Sequence, residues 1–204
     1  YLETAALAGV VTIGCRRCGG GLAGSPGESN VLAGAALAAE REPDLVIFDG
    51  SGAAVPPIDT GARVLVTSSY QPIEVSTGYL NAFRILVSDL VVVTGPLDER
   101  LVHAIHEIKE LPVVPVELRP RPASPVAGRR IAYFSTAPAE AHEAIERHLR
   151  EEHGAEVVFV SGNLARRDEL REELARVEAD VYVVEIKAAA IDVVAEAAAR
   201  RGVE

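Results

Sequence analysis

Consecutive apolar residues, rich in valine and isoleucine, recur along the chain and alternate with stretches of helical periodicity. Unbroken apolar runs of this kind are typical of parallel strands that are covered on both faces. They predict strands at residues 10–14, 44–49, 63–67, 90–94, 113–118, 130–135, 156–161 and 180–185. The periodic stretches predict helices at residues 30–40, 75–87, 98–110, 139–152, 166–177 and 188–201. This alternation favours an α/β fold with a doubly wound, mostly parallel sheet.

A proline-rich stretch divides the chain. Residues 119–125 read Arg-Pro-Arg-Pro-Ala-Ser-Pro, a stiff and extended connector. We therefore expect one domain at residues 1–125 and a smaller, Rossmann-like α/β domain at residues 126–204. Ligands of such sheets bind beyond the carboxyl ends of the strands, so we expect the chemistry in the loops that follow strands.

Composition and charge narrow the classes of partner. Acidic residues outnumber basic ones 30 to 20, which gives a formal charge of −10 and disfavours nucleic acid or an anionic membrane surface as a partner. Apolar runs are too short for a membrane span, no signal peptide is visible, and two cysteines suit a reducing cytoplasm. The sequence begins with Tyr, contains no Met and ends in Arg-Gly-Val-Glu, so we expect it to be a portion of a longer protein.

The richest candidate segment is a glycine-rich loop, residues 14–27, between a predicted strand and a predicted helix. Backbone N–H groups of Gly19, Gly20 and Gly21 can approach a ligand closely, and Arg16 and Arg17 offer forked donors for phosphate or carboxylate. The following helix N-terminus is also an anion site. These features predict an anion cradle; a flexible turn with two solvated arginines is the alternative.

Two cysteines lie within the same loop. Cys15 and Cys18 have the C-x-x-C spacing, but no second such pair supplies the four ligands of a usual zinc site. Structural thiols, a redox pair beside the arginines, and a zinc ion shared across a dimer axis all stay open.

A second candidate is the acid at the end of the 44–49 strand. Asp49 is followed by Gly50, Ser51 and Gly52. A strand-end acid in a P-loop NTPase holds Mg²⁺, often through water, whereas the alternative is an Asp that caps a turn. A Walker A loop requires G-x-x-x-x-G-K-[ST], and neither Lys109 nor Lys187 follows a glycine, so we expect any such lysine outside this sequence.

Basic residues past two other strands complete the candidate set. Arg119 and Arg121 are placed to stack on a base or bind a phosphate, or else to be exposed charges of a rigid linker. Lys187 follows Glu185 at a strand-to-helix junction, where a lysine is unfavourable unless an anion is present or Glu185 pairs with it.

Several of these motifs together resemble one family. Residues 15–24 (CRRCGGGLAG), 29–31 (SNV) and 43–54 (PDLVIFDGSGAA) are similar to cyclic 2,3-diphosphoglycerate synthetase and its relatives. The same family is suggested by Gln71-Pro72 and by residues 77–80 (TGYL), 119–122 (RPRP) and 185–192 (EIKAAAID). The resemblance covers nearly the whole chain, and its nucleotide core looks like the dethiobiotin-synthetase type of P-loop fold.

The resemblance implies an enzyme that uses ATP to close an intramolecular phosphoanhydride in 2,3-diphosphoglycerate. It implies Mg²⁺ on Asp49 as the metal ligand, phosphate groups on the glycine-rich loop, a nucleotide contact near Arg119 and Arg121, and a homodimer. We accordingly predict catalytic roles for Arg16, Arg17 and Lys187, and cofactor binding at Gly19, Gly20, Gly21, Gly50, Ser51, Gly52, Arg119 and Arg121. The first domain would then be a P-loop NTPase-like core without its first strand and P-loop in this sequence. A GTPase or ATPase regulator of the same fold, or a non-catalytic Rossmann-like module, is the alternative, and GTP in place of ATP stays open.

Overall fold

A computed structural model describes residues 5, 8–15, 29–50, 58–186 and 190–204. It divides the chain into two compact units, Tyr1–Val116 and Glu117–Glu204. The expected connector at residues 119–125 therefore begins just after this division. In the described part of the chain, none of the helices is both long and apolar enough to cross a membrane.

The first unit is built on a parallel three-stranded sheet. Its strands, in the spatial order β1-β2-β3, are β1 (Val64–Ser68), β2 (Leu90–Thr94) and β3 (Val113–Val116). Its helices are α1 (Val31–Ala39), α2 (Ile73–Thr77), α3 (Leu80–Val87) and α4 (Glu99–His106). Val91 and Val93 of β2 are fully buried against Ile85, Leu101 and Ile105 of α3 and α4. The expected parallel α/β architecture is therefore confirmed.

The sequence predicts a sheet that is covered on both faces, but the other face of this sheet is exposed. Val64 and Val66 are 56% and 62% exposed, and Val114 is also exposed. Alternating side chains of a strand point to opposite faces, so these valines mark the face that no described helix covers.

The strands expected at residues 10–14 and 44–49 are not formed in the structure. Val10, Val11, Leu45 and Ile47 are all exposed. A strand exists only through hydrogen bonds to a neighbouring strand, and neither segment has such a neighbour among the described residues. Apolar runs alone therefore overpredicted the sheet.

The helix expected at residues 75–87 is broken into α2 and α3. Gly78 is extended, and Tyr79 has φ 47° and ψ −118°, a backbone conformation that residues other than glycine rarely adopt. The side chain of Tyr79 is 89% exposed, so no packing of its ring explains this backbone. The break changes the direction of the chain between two helices that pack together.

The second unit is a parallel sheet with helices on both faces. Its strands, in the order β5-β4-β6, are β4 (Arg130–Phe134), β5 (Glu156–Ser161) and β6 (Val181–Val184). Its helices are a 3₁₀ turn (Ala139–Ala141), α5 (His142–His153), α6 (Arg167–Arg176) and α7 (Ile191–Arg201). The left-handed Gly154 ends α5, where its N–H donates to the Arg150 carbonyl oxygen.

Alternation along β4 directs its side chains into two cores. Ala132 and Phe134 pack with residues of α6 and α7, whereas Ile131 and Tyr133 pack with residues of α5. The Phe134 ring meets the Tyr182 ring edge-on at a centroid distance of 5.4 Å. The central strand is thus buried on both sides, as its apolar run predicted.

Candidate functional site

The carboxyl ends of β1 and β2 are joined into one edge. The carbonyl oxygen of Thr94 accepts hydrogen bonds from the Ser69 N–H at 3.0 Å and from the Ser69 hydroxyl at 3.3 Å. The Thr94 hydroxyl donates in return to the Thr67 carbonyl oxygen at 3.1 Å. The loops after these two strands are therefore held in a fixed relation, where ligands of parallel sheets bind.

Gly95, directly after β2, lies against Ser69 and Tyr70 at this edge. Its φ is +97°, and a Cβ atom built there would lie 2.6 Å from Ser69 Oγ and 2.7 Å from the Tyr70 ring. The positive φ favours glycine, and an added methyl group would require the Ser69 hydroxyl and the Tyr70 ring to move.

A cavity of about 300 Å³ opens beside this edge. Its polar lining comes from Ser69, Gln71, Glu74, Asp98 and Arg100. Pro72, Ile73 and Leu101 supply apolar walls. A concave site with apolar walls and a few fixed polar groups is the usual form of a small-molecule pocket.

The Gln71 side chain is fixed by two hydroxyl groups. Its Nε2 lies 3.0 Å from Thr67 Oγ1 and 2.9 Å from the Oγ of the buried Ser76. Thr67 Oγ1 lies 3.3 Å from Ser76 Oγ, which donates to the Ser68 carbonyl oxygen at 3.4 Å. The amide therefore sits in a closed polar network at the cavity.

Asp98 caps the N-terminus of α4 and binds Arg100, two residues further along the chain. Its carboxylate accepts from the Arg100 N–H at 2.9 Å and from Arg100 Nη2 at 2.9 Å. The side-chain hydrogen bond from Arg100, and then the backbone one, lower the pKa of Asp98, and the side-chain hydrogen bond also raises the pKa of Arg100. The pair is exposed at the cavity rim and leaves little net charge there.

Of the residues predicted for the metal and cofactor, Asp49 and Gly50 are described and exposed. Among the described residues, no hydrogen bond or ion pair engages the Asp49 carboxylate. Within that part of the chain, no group of three or more His, Cys, Asp or Glu residues forms a metal cage. A single open carboxylate is the kind of ligand that Mg²⁺ uses when water and phosphates supply the rest.

Arg119 and Arg121 lie at the start of the second unit and are exposed. The Arg119 guanidinium donates to Glu117 Oε2 at 3.1 Å and 2.9 Å. Eight further predicted site residues lie outside the described residues: Arg16, Arg17, Gly19, Gly20, Gly21, Ser51, Gly52 and Lys187. Cys18 lies outside them too, and Cys15 is an exposed free thiol.

The carboxyl edge of the second sheet holds two polar clusters. Glu185 Oε2, after β6, accepts from the N–H of Thr136 at 2.8 Å and from its hydroxyl at 2.9 Å. Glu173 on α6 accepts from Ser161 at 2.5 Å and from Asn163 at 2.6 Å.

Sequence reasoning singled out Glu185 but missed Gln71 as a site residue and missed the Glu173 cluster. Glu173 reads as an ordinary polar helix position, and only its contacts at the end of β5 give it significance. Gln71 could have been noticed as a polar side chain just after a strand.

Comparison with known proteins assigns both parts of the chain. Residues 1–120 match the family model "Cyclic 2,3-diphosphoglycerate synthetase, P-loop domain", and residues 122–204 match "Cyclic 2,3-diphosphoglycerate synthetase C-terminal domain".

Curated relatives give the same result. The chain is 49% identical to the cyclic 2,3-diphosphoglycerate synthetase of Rubrobacter xylanophilus, over 99% of the chain and 48% of that protein. It is 40% identical to the Thermococcus kodakarensis protein of that name, over 100% of the chain and 49% of that protein. It is 34% identical to the Methanothermus fervidus protein, over 100% of the chain and 47% of that protein. The chain thus spans about half the length of these relatives, and it belongs to the cyclic 2,3-diphosphoglycerate synthetase family.

Proposed function

We propose that this chain belongs to an enzyme that uses ATP and Mg²⁺ to close an intramolecular phosphoanhydride in 2,3-diphosphoglycerate. The observation that carries the proposal is the match of both of its domains to one synthetase family, with 49% identity to a curated member. Because the chain spans about half of such relatives, the activity is assigned to the whole protein.

The net reaction balances as follows. Joining the two phosphate groups of 2,3-diphosphoglycerate through one bridging oxygen removes the elements of water, and coupled cleavage of ATP to ADP and phosphate takes them up. One P–O–P bond forms in the product while one breaks in ATP. Both substrates are polyanions, so the site must neutralise negative charge while it brings two phosphates together.

The fold proposal follows from the parallel sheets. We assign the first domain, residues 1–125, to a doubly wound, P-loop NTPase-like core of the dethiobiotin-synthetase type, and residues 126–204 to a Rossmann-like domain. Support comes from the parallel order of β1, β2 and β3, and from helices on both faces of the second sheet.

Asp49 is the residue proposed to hold Mg²⁺. Its exposed carboxylate and the adjacent Gly50 suit a hard cation whose other ligands are water and phosphate oxygen. Bound there, Mg²⁺ would neutralise charge on the transferring phosphate. Gly50, Ser51 and Gly52 would let the backbone approach the nucleotide.

The remaining donors are proposed to bind phosphate groups and nucleotide. Arg16, Arg17 and Lys187 are assigned to the reacting phosphates, together with backbone N–H groups of Gly19, Gly20 and Gly21. Arg119 and Arg121 are assigned to the nucleotide; Arg119 would exchange its ion pair with Glu117 for this contact. From the family resemblance we further propose that the protein is a homodimer in the cytoplasm. Light scattering of the purified protein tests whether it is a dimer.

The first experiment measures ADP release with and without 2,3-diphosphoglycerate, for this chain and for the whole protein in parallel. We expect ADP release that depends on both 2,3-diphosphoglycerate and Mg²⁺, with a product one water lighter by mass spectrometry. ATP or GTP hydrolysis independent of 2,3-diphosphoglycerate would instead identify a regulator. Absence of any turnover by the whole protein would leave a binding module and overturn the proposal.

A pair of variants tests the metal ligand. Asp49→Asn removes the charge at the proposed site, and we expect the rate to fall by about a hundredfold or more. Asp59→Asn is the matched control, because Asp59 is exposed and forms only a surface ion pair with Arg63. Equal rates for the two variants would remove Asp49 from the site.

A further inference from the structure

A histidine of α5 ties the proline-rich connector, residues 119–125, to this helix. His148 Nε2 lies 3.2 Å from the carbonyl oxygen of Pro120. A carbonyl oxygen only accepts hydrogen bonds, so Nε2 carries the ring proton and donates it to Pro120. The opposite ring orientation would place a C–H group against the oxygen and lose the bond. The chemistry of the two groups therefore fixes the direction of this contact.

The imidazole of His148 is itself held in place. It is half-buried, and its ring meets the His153 ring edge-on at a centroid distance of 5.2 Å. Residues three positions apart share one side of a helix, so His148 lies on the side of the buried Ile145, and the adjacent Leu149 is fully buried. The donor of the hydrogen bond to Pro120 is thus a side chain with little freedom to turn.

A second contact fixes the far end of the connector. Val126 is 4% exposed and packs in one core cluster with Ile145 and Leu149 of α5. Three prolines of the connector each fix a φ angle in the intervening stretch. A stiff segment that is attached at both ends is fixed relative to α5. The same segment attached through Val126 alone would be free to swing about that point.

The two arginines that are proposed to contact the nucleotide flank the anchored carbonyl. Arg119 precedes Pro120 and Arg121 precedes Pro122, and a residue before proline is restricted to extended conformations. Both arginines are exposed. Arg119 binds Glu117, whereas no described residue forms a hydrogen bond or an ion pair with Arg121. Their backbone is thus set in advance, and only side-chain torsions are left to adjust to a ligand.

We infer that His148 is a positioning residue for the nucleotide: through the Pro120 carbonyl it holds Arg119 and Arg121 where they meet the ligand. The inference rests on the proposed contact of these arginines with the nucleotide. Pre-organisation reduces the entropy that binding costs, so loss of the His148 bond weakens nucleotide binding. Because His148 does not touch the reacting groups, its loss raises KM and leaves kcat unchanged.

ATP binding and kinetics of the whole protein test the inference. We expect His148→Leu to raise the Kd and the KM for ATP about threefold to tenfold, as for the loss of one hydrogen bond, with kcat unchanged. His148→Gln carries an amide N–H that can replace the Nε2 donor, and it should restore most of the affinity. An unchanged Kd in His148→Leu, a fall in kcat at unchanged KM, or equal defects in the two variants would overturn the inference.

The matched control is His142→Leu on the same helix. His142 Nε2 makes the same kind of contact, at 3.3 Å from the Ala137 carbonyl oxygen, which lies outside the connector. We expect the affinity for ATP to be unchanged in this variant. An equal loss of affinity would show that general weakening of the second unit is responsible, and would count against His148.

A double-mutant cycle asks whether His148 acts through the arginines. The background variant carries both Arg119→Gln and Arg121→Gln. There we expect His148→Leu to have almost no further effect on the Kd for ATP, because the groups that it positions are gone. The same fold-loss in both backgrounds would contradict the inference, since a merely structural role would weaken binding with or without the arginines.

The readouts separate the inference from the proposed function. Calorimetry with ATP requires no turnover, so a coupled loss of affinity without any cyclic product leaves the inference standing and removes the proposed activity. Cyclic product formed by a protein whose affinity for ATP is indifferent to His148 removes the inference alone. An unchanged affinity after both arginine substitutions would remove the inference together with the nucleotide contact on which it rests.

Discussion

Glu185 binds Thr136 twice across the carboxyl edge of the second sheet, through the backbone N–H at 2.8 Å and the hydroxyl at 2.9 Å. The two residues follow neighbouring parallel strands, β6 and β4, whose outgoing loops this carboxylate ties together. Glu185 therefore holds the second unit together, and it also lies in a segment, residues 185–192, that resembles the family.

Removing this carboxylate should destabilise the second unit. We expect Glu185→Ala to lower the free energy of unfolding by about 1–2 kcal/mol, because two hydrogen bonds to a charged, half-exposed group are lost. Urea denaturation followed by circular dichroism measures it. Glu156→Ala is the control: its carboxylate forms only an exposed ion pair with Arg130 at 3.8 Å, so we expect a change within about 0.5 kcal/mol. Equal losses in both variants would contradict the assignment.

The backbone at Tyr79 predicts a stabilising substitution. Its dihedral angles, φ 47° and ψ −118°, are those of the first central residue of a type II′ turn, where glycine is preferred. We expect Tyr79→Gly to raise the free energy of unfolding by about 1 kcal/mol, since the exposed ring makes little contact. Tyr79→Ala keeps the strained conformation and should give no such gain, so equal stabilisation by both would refute the explanation.

Gly95 predicts the opposite effect. Gly95→Ala places a methyl group against Ser69 and Tyr70 at a φ of +97°, and we expect a loss of about 2 kcal/mol or more. Gly61→Ala is the control, because its added Cβ meets open space and its φ is not left-handed. We expect Gly61→Ala to be neutral or slightly stabilising. A harmless Gly95→Ala would show that the edge between β1 and β2 is looser than described.

Tyr133 makes the free energy of unfolding depend on pH in the alkaline range. Burial, and then the negative charge of Glu185, raise the pKa of Tyr133 to about 12. The folded state thus holds the phenol proton more tightly than the unfolded state, where the pKa is about 10. The resulting contribution is complete below pH 10 and is lost as the pH rises toward 12.

Ultraviolet absorbance of tyrosinate and urea denaturation check this prediction. We expect Tyr133→Phe to remove the component that ionises at the highest pH and to flatten the fall in stability above pH 10. An unchanged absorbance titration in the variant would contradict the assignment of that pKa to Tyr133.

The predicted strands are confirmed where a neighbouring strand pairs with them. The apolar runs at 90–94 and 156–161 coincide with β2 and β5, because both strands have neighbours: β2 lies between β1 and β3, and β5 pairs with β4. The runs at 10–14 and 44–49 are equally apolar, yet no described strand pairs with them. Apolar periodicity reports what a segment can bury and carries no information about whether a partner strand is present.

The candidate cavity was less predictable. Gln71 is recognisable as a polar residue after a strand, but its orientation depends on hydroxyls of Thr67 and Ser76 that only the fold brings together. The break at Tyr79 was also hidden, because an isolated Gly78 is tolerated within a helix pattern. The bond between Thr136 and Glu185 joins residues 49 positions apart, which no local pattern reveals.

Phosphorus NMR of the whole protein with ATP, Mg²⁺ and 2,3-diphosphoglycerate is the most direct test of the proposed function. We predict that the two phosphomonoester signals of the substrate are replaced by two mutually coupled phosphoanhydride signals, while ADP and inorganic phosphate appear in equal amounts. Steady conversion of ATP to ADP and phosphate with the 2,3-diphosphoglycerate signals unchanged would contradict the account.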